Sequence, residues 1–341
     1  MRLSYVLPLL RHSGDDGLEE LTDYLRWLSS RVEVIVADGS DAAVRAEHGK
    51  LWEQYVTQVP VTNRPRRYGK VIGVHAGVAQ ASHEKVIIAD DDVRYSDRSL
   101  GEVSRALDGA DLVRPQNYFS PLPWFAAWDT GRILLNRALG SDSPGTLGIR
   151  RDFFLGMGGY SDEAMYENLE LMRTVAAHDG RIADRPDIFV RRLPGTVRRF
   201  WEQRPRQAYD DWSSPTKLVA FLSVVPTVVG LRRSRLGWIA PALTVFGCVA
   251  LAERGRRRHE GAAYFPFRTA WFAPLWVAER SLCVWLALAY RLTGGVPYAG
   301  TRFRVAAHSV SELRRRAAAH PVAPVAEWSG ARAPAAAEGY D

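Results

Sequence analysis

Three consecutive carboxylates, Asp90, Asp91 and Asp92, follow directly on the apolar run at 86–89. Like charges this close repel, and each is better solvated or paired. In an extended chain Asp90 and Asp92 project to the same side. One or two carboxylates together with substrate phosphates commonly hold Mg²⁺ or Mn²⁺, so these two are the candidate metal ligands. A second acid, Asp38, closes another β-branched run, "VEVIVADGS". Farther on, "YSDEAMYENLELMRTV" holds Glu163, Glu167 and Glu170, whose spacings of four and three place them on one helix face. The plain alternatives are a solvated acidic turn at 90–92 and a solvated acidic helix face at 167 and 170.

These acids need elements to position them. "LSYVLPLL" has the composition of a strand, and "GLEELTDYLRWLSS" places Leu18, Leu21, Leu25 and Leu28 at helical spacing. "VEVIV" and "KVIIA" are continuously apolar, as strands covered on both faces must be. Between them "GKVIGVHAGVAQAS" has helical spacing with small residues. Strand and helix alternate, which predicts an α/β domain with a mostly parallel sheet. In such sheets ligands bind at the carboxyl ends of the strands, where Asp38 and the Asp triplet both fall. After the glycines at 156, 158 and 159, Ser161 is the predicted N-cap of a helix running to about Ala177.

The net charge of +7 and pI near 9.5 point to an anionic partner: nucleic acid, anionic lipid or a phosphorylated small molecule. Cys248 and Cys283 lie in apolar stretches and read as small buried hydrophobes, not a disulfide framework or metal site. The N-terminus has a short apolar run without a small-residue cleavage site, which fits a first strand better than a signal peptide.

From residue 216 the character changes. Apolar segments at about 216–231, 236–252 and 270–290 are flanked by "RRSR", "ERGRRRHE" and several Trp residues. The first two fall short of the roughly 20 residues that span a bilayer. The third carries Glu279 and Arg280 at its middle, which favours an interfacial helix. If the first two form a hairpin, the arginines of "RRSR" face the far side, against the positive-inside tendency, and a shallow re-entrant pair eases this. The expected organisation is a catalytic domain over 1–212, membrane-associated hydrophobic or interfacial helices over 213–316, and a disordered Ala/Pro-rich tail over 317–341. A buried helical subdomain is the alternative for the middle region.

The residues over about 1–212 resemble a family 2 glycosyltransferase with a GT-A, Rossmann-like fold. "ADDDV" is similar to that family's D-x-D motif for metal and nucleotide sugar, with Asp90 and Asp92 as its outer pair and Asp91 a nucleotide or structural contact. "DGS" resembles the second-strand motif, which gives Asp38 the nucleoside. "YGKVIGVHAG" resembles the Gly-Lys segment, which places Gly69 and Lys70 against the donor. Pro8 is the donor candidate on the first strand; Leu9, Leu10 and Arg11 follow where the family has Asn or Glu, and no role transfers to them.

"GGYSDEAMYENLELMRTV" is similar to the family's Gly-Gly loop and the helix bearing the catalytic Glu-Asp. Asn168 stands in place of the Asp, and an amide cannot accept the proton. Glu167 is therefore the candidate base and Glu170 the second. "WEQRPRQAYDDW" resembles the Q-x-x-R-W signature through Gln203 and Arg206, with Gln207 in place of the Trp, a slight argument against a processive polymerase. Arg204 and Arg206 are candidates for donor diphosphate or lipid phosphate, a solvated juxtamembrane cluster being the alternative.

The resemblance implies a hexosyltransferase that uses a nucleoside-diphosphate sugar and Mg²⁺ or Mn²⁺, and inverts the sugar in a single displacement. The apolar segments imply a lipid or lipid-linked acceptor, as in cell-envelope glycan or glycolipid synthesis, with the catalytic domain on the cytoplasmic face of the cell membrane. A polyprenyl phosphate acceptor would be anionic already and need no base. A membrane-anchored nucleotide-sugar-binding protein without activity would keep the Asp triplet but lack a base, and Asn168 is its best support. No nucleic-acid recognition module is present to use the arginines, so nucleic acid is not an expected partner. Trp124, Phe125 and Trp128 are set to stack on a sugar or to pack.

Overall fold

The computed structural model describes residues 1–14, 16–61, 69–231, 237, 239–298 and 301–319. The "RRSR" loop, Tyr68 and the tail from 320 onward lie outside the described residues. In chain order the elements are β1 (Ser4–Leu9), α1 (Leu18–Ser29), β2 (Glu33–Asp38), α2 (Ala42–Trp52), β3 (Thr57–Pro60), α3 (Gly69–Gln80), β4 (Lys85–Ala89) and β5 (Val93–Arg94). There follow α4 (Asp97–Ala106), β6 (Leu112–Phe119), α5 (Trp124–Leu139), β7 (Thr146–Arg150), α6 (Arg151–Gly156), α7 (Glu167–Ala177), β8 (Ile182–Arg192) and α8 (Val197–Ala208). The remainder is α9 (Pro215–Leu231), α10 (Ile239–Arg257), α11 (Ala273–Leu292), β9 (Val296–Tyr298), β10 (Thr301–Phe303) and α12 (Val310–Ala319).

Eight strands form one mixed sheet in the order β3-β2-β1-β4-β7-β6-β8-β5. β1, β2, β3 and β4 run parallel, as do β6 and β8, while β7 runs antiparallel to both its neighbours. The expected α/β class with a mostly parallel sheet is what the chain forms. Leu9 pairs with Asp38, and Val6 with Ile88, so β1, β2 and β4 end side by side. Apolar side chains on the two faces make two separate cores, one under α1 and α4 and one under α3, α6 and α7. α3 lies close on β1 because Gly77 has no Cβ; one there would sit 2.4 Å from Val6 Cγ1.

Leu21, Leu25 and Leu28 of α1 are buried as their spacing requires. The sequence gives no comparable stripe for α2, where Val44, His48 and Trp52 are the buried residues. α7 starts at Glu167, six residues after the predicted cap; Ser161 Oγ only accepts the Glu163 amide at 3.2 Å. Glu163 therefore precedes the helix and pairs with Arg316 across the surface, at 3.3 Å.

The three apolar segments form α9, α10 and a 26-residue stretch, Phe267–Leu292, long and apolar enough to cross a membrane. α9 buries no side chain fully; Phe221 is half-buried against Trp276. α11 is two-faced: Ala273, Trp276, Arg280, Val284 and Ala287 are buried, while Leu275, Leu282, Trp285 and Leu286 are exposed. Glu279 and Arg280 do not make it an interfacial helix as expected, because both turn inward. Arg280 forms a buried two-point pair with Asp211, at 2.8 and 2.9 Å, and Glu279 meets Arg204 at 3.4 Å. α10 presses on α5 so tightly that a Cβ at Gly255 would lie 1.9 Å from the Leu134 carbonyl oxygen. Both cysteines are unpaired and half-buried.

Candidate active site

β4 ends at Ala89; the Asp90 amide extends its pairing with β7 by donating to the Gly145 carbonyl at 2.9 Å, and the chain then turns, the Val93 amide donating to the Asp90 carbonyl at 3.1 Å. The Gly145 amide in turn donates to Asn117 Oδ1 at 2.7 Å. A Cβ at Gly145 would stand 2.8 Å from Asp90 Oδ2 and 3.1 Å from the Arg192 guanidinium, so any side chain there would displace that pair. The Asp triplet thus opens into a cleft of about 1260 Å³. Pro8 of β1, Gly69 and Lys70 of α3, and Glu167 and Asn168 of α7 border the same cleft. α8 supplies its other wall with Arg199, Gln203, Arg206 and Gln207.

The charges in the cleft alternate. Lys70 Nζ pairs with both Asp90 and Glu167. Arg192, at the end of β8, donates to both oxygens of Asp92, at 3.0 and 2.9 Å, and reaches Asp90 at 3.3 Å. Arg11 stands 3.7 Å from Asp91. Burial pushes the Asp90 carboxyl up, but Lys70 and Arg192 outweigh it and hold it below the usual range. Burial raises Asp92, and Arg192 offsets only part of that. Lys70 is raised despite its burial, because Asp90 and Glu167 favour its charged form. The repulsion within the triplet is therefore answered by three cations, Lys70 from α3, Arg192 from β8 and Arg11 from the loop after β1.

Asn168 has a visible task. Its Nδ2 donates to the Pro144 carbonyl at 3.0 Å, tying α7 to the loop that supports Asp90. A carboxylate cannot donate that bond.

Three sequence expectations need correction. Asp38 is fully buried and does not face the cleft, although Ala37 and Gly39 do. Its Oδ1 accepts the Ser40 amide at 2.9 Å, and its Oδ2 meets His48 Nδ1 at 2.7 Å and Gln58 Nε2 at 3.0 Å. It shapes the β2 end and presents no free oxygen to a nucleoside. Glu170 is fully buried and turned away, both oxygens taken by His308. It is not placed to take an acceptor proton. Arg204 is buried behind the wall, against Asp129 at 2.7 Å and Glu279 at 3.4 Å, and stacks on Phe200, so it does not face the cleft where a phosphate would sit. Gln203 and Arg206 do reach the cleft, and Arg206 lies over the Tyr298 ring at 4.3 Å.

Residues 16–167 match the family model described as "Glycosyl transferase family 2". That segment is a family 2 glycosyltransferase domain. Among solved structures, the fold is similar to a mannosyltransferase from Pyrobaculum calidifontis, in complex with GDP-Man and Mn²⁺. That match has 15% identity over 82% of this chain and 86% of the other, with a TM-score of 0.48. It is also similar to glucosyl-3-phosphoglycerate synthase from Mycobacterium tuberculosis, in complex with Mn²⁺, UDP and glucosyl-3-phosphoglycerate. There the identity is 18% over 58% of this chain and 74% of the other, with a TM-score of 0.39. The same enzyme with Mg²⁺ and UDP matches at 16% identity over 58% and 73%, with a TM-score of 0.37. No curated protein matches the chain.

The donor set suits a hard divalent ion. Asp90 and Asp92 bring carboxylate oxygens, the ligand type that Mg²⁺ and Mn²⁺ take, to one lip of the cleft, where Lys70 and Arg192 pair with them and a divalent ion would have to take the place of those cations. Among the described residues no group of three His, Cys, Asp or Glu side chains gathers there. The protein would thus contribute two ligands and leave the rest to phosphate and water, as such sites commonly do.

The sequence reading of the family 2 domain missed Arg192, whose signal was an arginine at the end of an apolar run, "DIFVRR", the same placement that singled out the acids. It also missed Arg199, an exposed cation of the cleft wall that forms no salt bridge among the described residues and whose charge helps to lower the Asp90 carboxyl. Phe125 borders the cleft, while Trp124 and Trp201 form a half-exposed aromatic pair beside it, 6.4 Å apart.

Proposed function

We propose that the protein transfers a sugar from a nucleoside-diphosphate sugar to a lipid or lipid-linked acceptor by an inverting displacement at the cytoplasmic face of a membrane. The observation that carries this reading is the convergence of Asp90, Asp92 and Glu167 on one cleft, with Lys70 between the donor-side acid and the candidate base. Asp90 and Asp92 would hold Mg²⁺ or Mn²⁺, which supplies positive charge against the departing diphosphate. Lys70, Arg192 and Arg199 add fixed positive charge on the same side, and charge preorganised where the leaving group develops its own is usually the largest single contribution to such catalysis. Glu167 takes the acceptor hydroxyl proton as the new bond to the sugar carbon forms and the bond to the diphosphate oxygen breaks on the opposite face.

The acceptor class is supported by α11. Its buried face carries Arg280 to the cleft, and its outer face exposes Leu275, Leu282, Trp285 and Leu286. One helix thus borders the reaction space and presents a surface suited to lipid. The test compares nucleoside diphosphate release by the full chain with lipid hydroxyl acceptors in vesicles and with water-soluble sugar acceptors. Release stimulated by the vesicles alone is expected; equal stimulation by soluble acceptors would remove the lipid assignment.

A second reading, transfer to a polyprenyl phosphate, is favoured by one contact: Glu167 is already engaged by Lys70. Turnover of polyprenyl phosphate that survives Glu167→Gln would select it, and loss of that turnover would exclude it.

A further inference from the structure

Glu167 occupies the first position of α7, and what holds that helix comes from the other end of the chain. From the end of β10 a strap, residues 304–309, runs back along the segment leading into α7. Ala164 and Val305 form a parallel bridge. The Met165 amide donates to the Val305 carbonyl and the Tyr166 amide to the Ala306 carbonyl, both at 3.0 Å. His308 then takes Glu170 with two groups: its amide is 2.8 Å from Oε2 and its Nδ1 2.7 Å from Oε1. One turn later Arg173 donates to the His308 carbonyl at 2.9 Å and to the Ser213 carbonyl at 2.8 Å.

A carboxylate in the first turn of a helix is favourable in water, so α7 has no need to bury Glu170. Burying it is costly unless every oxygen is hydrogen-bonded, and here one strap residue supplies both partners. The strap is itself fixed: Ala306, and Phe303 at the end of β10, are buried with Met165, Tyr209 and Ala287 of α11, and the Tyr209 hydroxyl donates to the Arg304 carbonyl at 2.9 Å. A two-point contact of this kind sets both the rotation of α7 and its position along its axis. Glu167 lies three residues before Glu170, under one helical turn away, so its direction toward Lys70 follows.

We propose that His308 is a positioning residue for the reaction: through Glu170 it aims Glu167, so the strap beyond the apolar helices completes the active site. This rests on Glu167 being the base. A misplacement of about 1 Å costs on the order of a hundredfold in rate, so a loosened α7 is expected to lower kcat more than it raises donor KM, because Asp90 and Arg192 are held by β4 and β8.

The test uses the full chain, with nucleoside diphosphate release from its best nucleotide-sugar donor and water or a lipid hydroxyl as acceptor. Melting temperatures are recorded alongside, and kinetics are run well below them. His308→Ala is expected to lower kcat roughly tenfold or more while donor KM stays within about twofold. His308→Asn, whose amide can donate where Nδ1 does, is expected to recover most of the loss. If His308→Ala does not fold, Glu170→Gln is read by the same criteria. A lower melting temperature with wild-type kcat would make the contact merely structural and overturn the proposal. So would a rise in donor KM matching the loss in kcat. If Glu167→Gln keeps full kcat, the base assignment falls and this proposal with it. If Glu167→Gln is inactive and His308→Ala is unimpaired, the proposal alone falls.

Discussion

Glu167 and Asn168 are neighbours with opposite duties, and substitution separates them. Glu167→Gln keeps the shape and a hydrogen bond to Lys70 but removes the proton acceptor. Its kcat is expected to drop by about 10²–10⁴, the usual size of general-base catalysis, with donor KM little changed. Asn168→Asp would restore the family's acid in sequence. It is nonetheless expected to harm the protein, because the Pro144 carbonyl loses its donor and meets a charge instead. The cost is about 1–3 kcal/mol, read as a lower melting temperature without a gain in kcat. Asp38 makes a prediction in pH. Burial raises its carboxyl, but the bonds from His48 and Ser40 bring it down from 3.8 to about 2. A lowered acid stabilises the fold fully above its unfolded pKa, and that stability is lost as pH falls through the folded value. The contribution, about 2 kcal/mol, should disappear between roughly pH 4 and pH 2. Urea unfolding of Asp38→Asn across that window should show a correspondingly smaller slope than the wild type; equal slopes would mean that Asp38 is not held low.

Among the elements, α11 is the one whose sequence misleads. Glu279 and Arg280 in an apolar helix suggest a surface lying in the headgroup region, whereas their partners Arg204 and Asp211 are distant in sequence and close in space. Only the fold reveals such a pair. Arg280→Met leaves Asp211 buried without compensation and should cost about 3–5 kcal/mol. The double variant Arg280→Met, Asp211→Leu should recover much of that, because a buried pair replaced by apolar groups is often neutral. Thermal unfolding in detergent reads both, and a double variant no better than the single would contradict the pairing. The same principle explains what was legible elsewhere. β1, β2 and β4 were readable because parallel central strands are continuously apolar, and their carboxyl ends therefore announced Asp38 and Asp90–Asp92. The burial of Asp38 was not readable, because it depends on His48 and Gln58 from elements with no clear pattern. Glu167 and Glu170 looked alike in a helical register, and only His308, 138 residues downstream of Glu170, separates their roles.

At the scale of the whole molecule, the apolar helices are built into the catalytic unit instead of trailing from it. α10 and α11 both lie on α5, and the hairpin and strap that follow return to α7. The exposed apolar side chains of α9, α10 and α11 are expected to carry the full chain onto vesicles. Replacing Leu282, Trp285 and Leu286 by Ser should shift it to the supernatant on sedimentation, while nucleotide-sugar hydrolysis in detergent changes little. Loss of both together would mean that these side chains belong to the fold. The central claim, that the Asp triplet and Glu167 form one metal-dependent sugar-transfer site, is tested most directly by nucleoside diphosphate release from a panel of nucleotide sugars with Mg²⁺ or Mn²⁺. The wild type should turn over at least one donor, with Asp92→Ala losing both donor-induced thermal stabilisation and turnover, and Glu167→Gln losing turnover alone. A panel in which Asp92→Ala binds and turns over every donor as the wild type does would contradict the account.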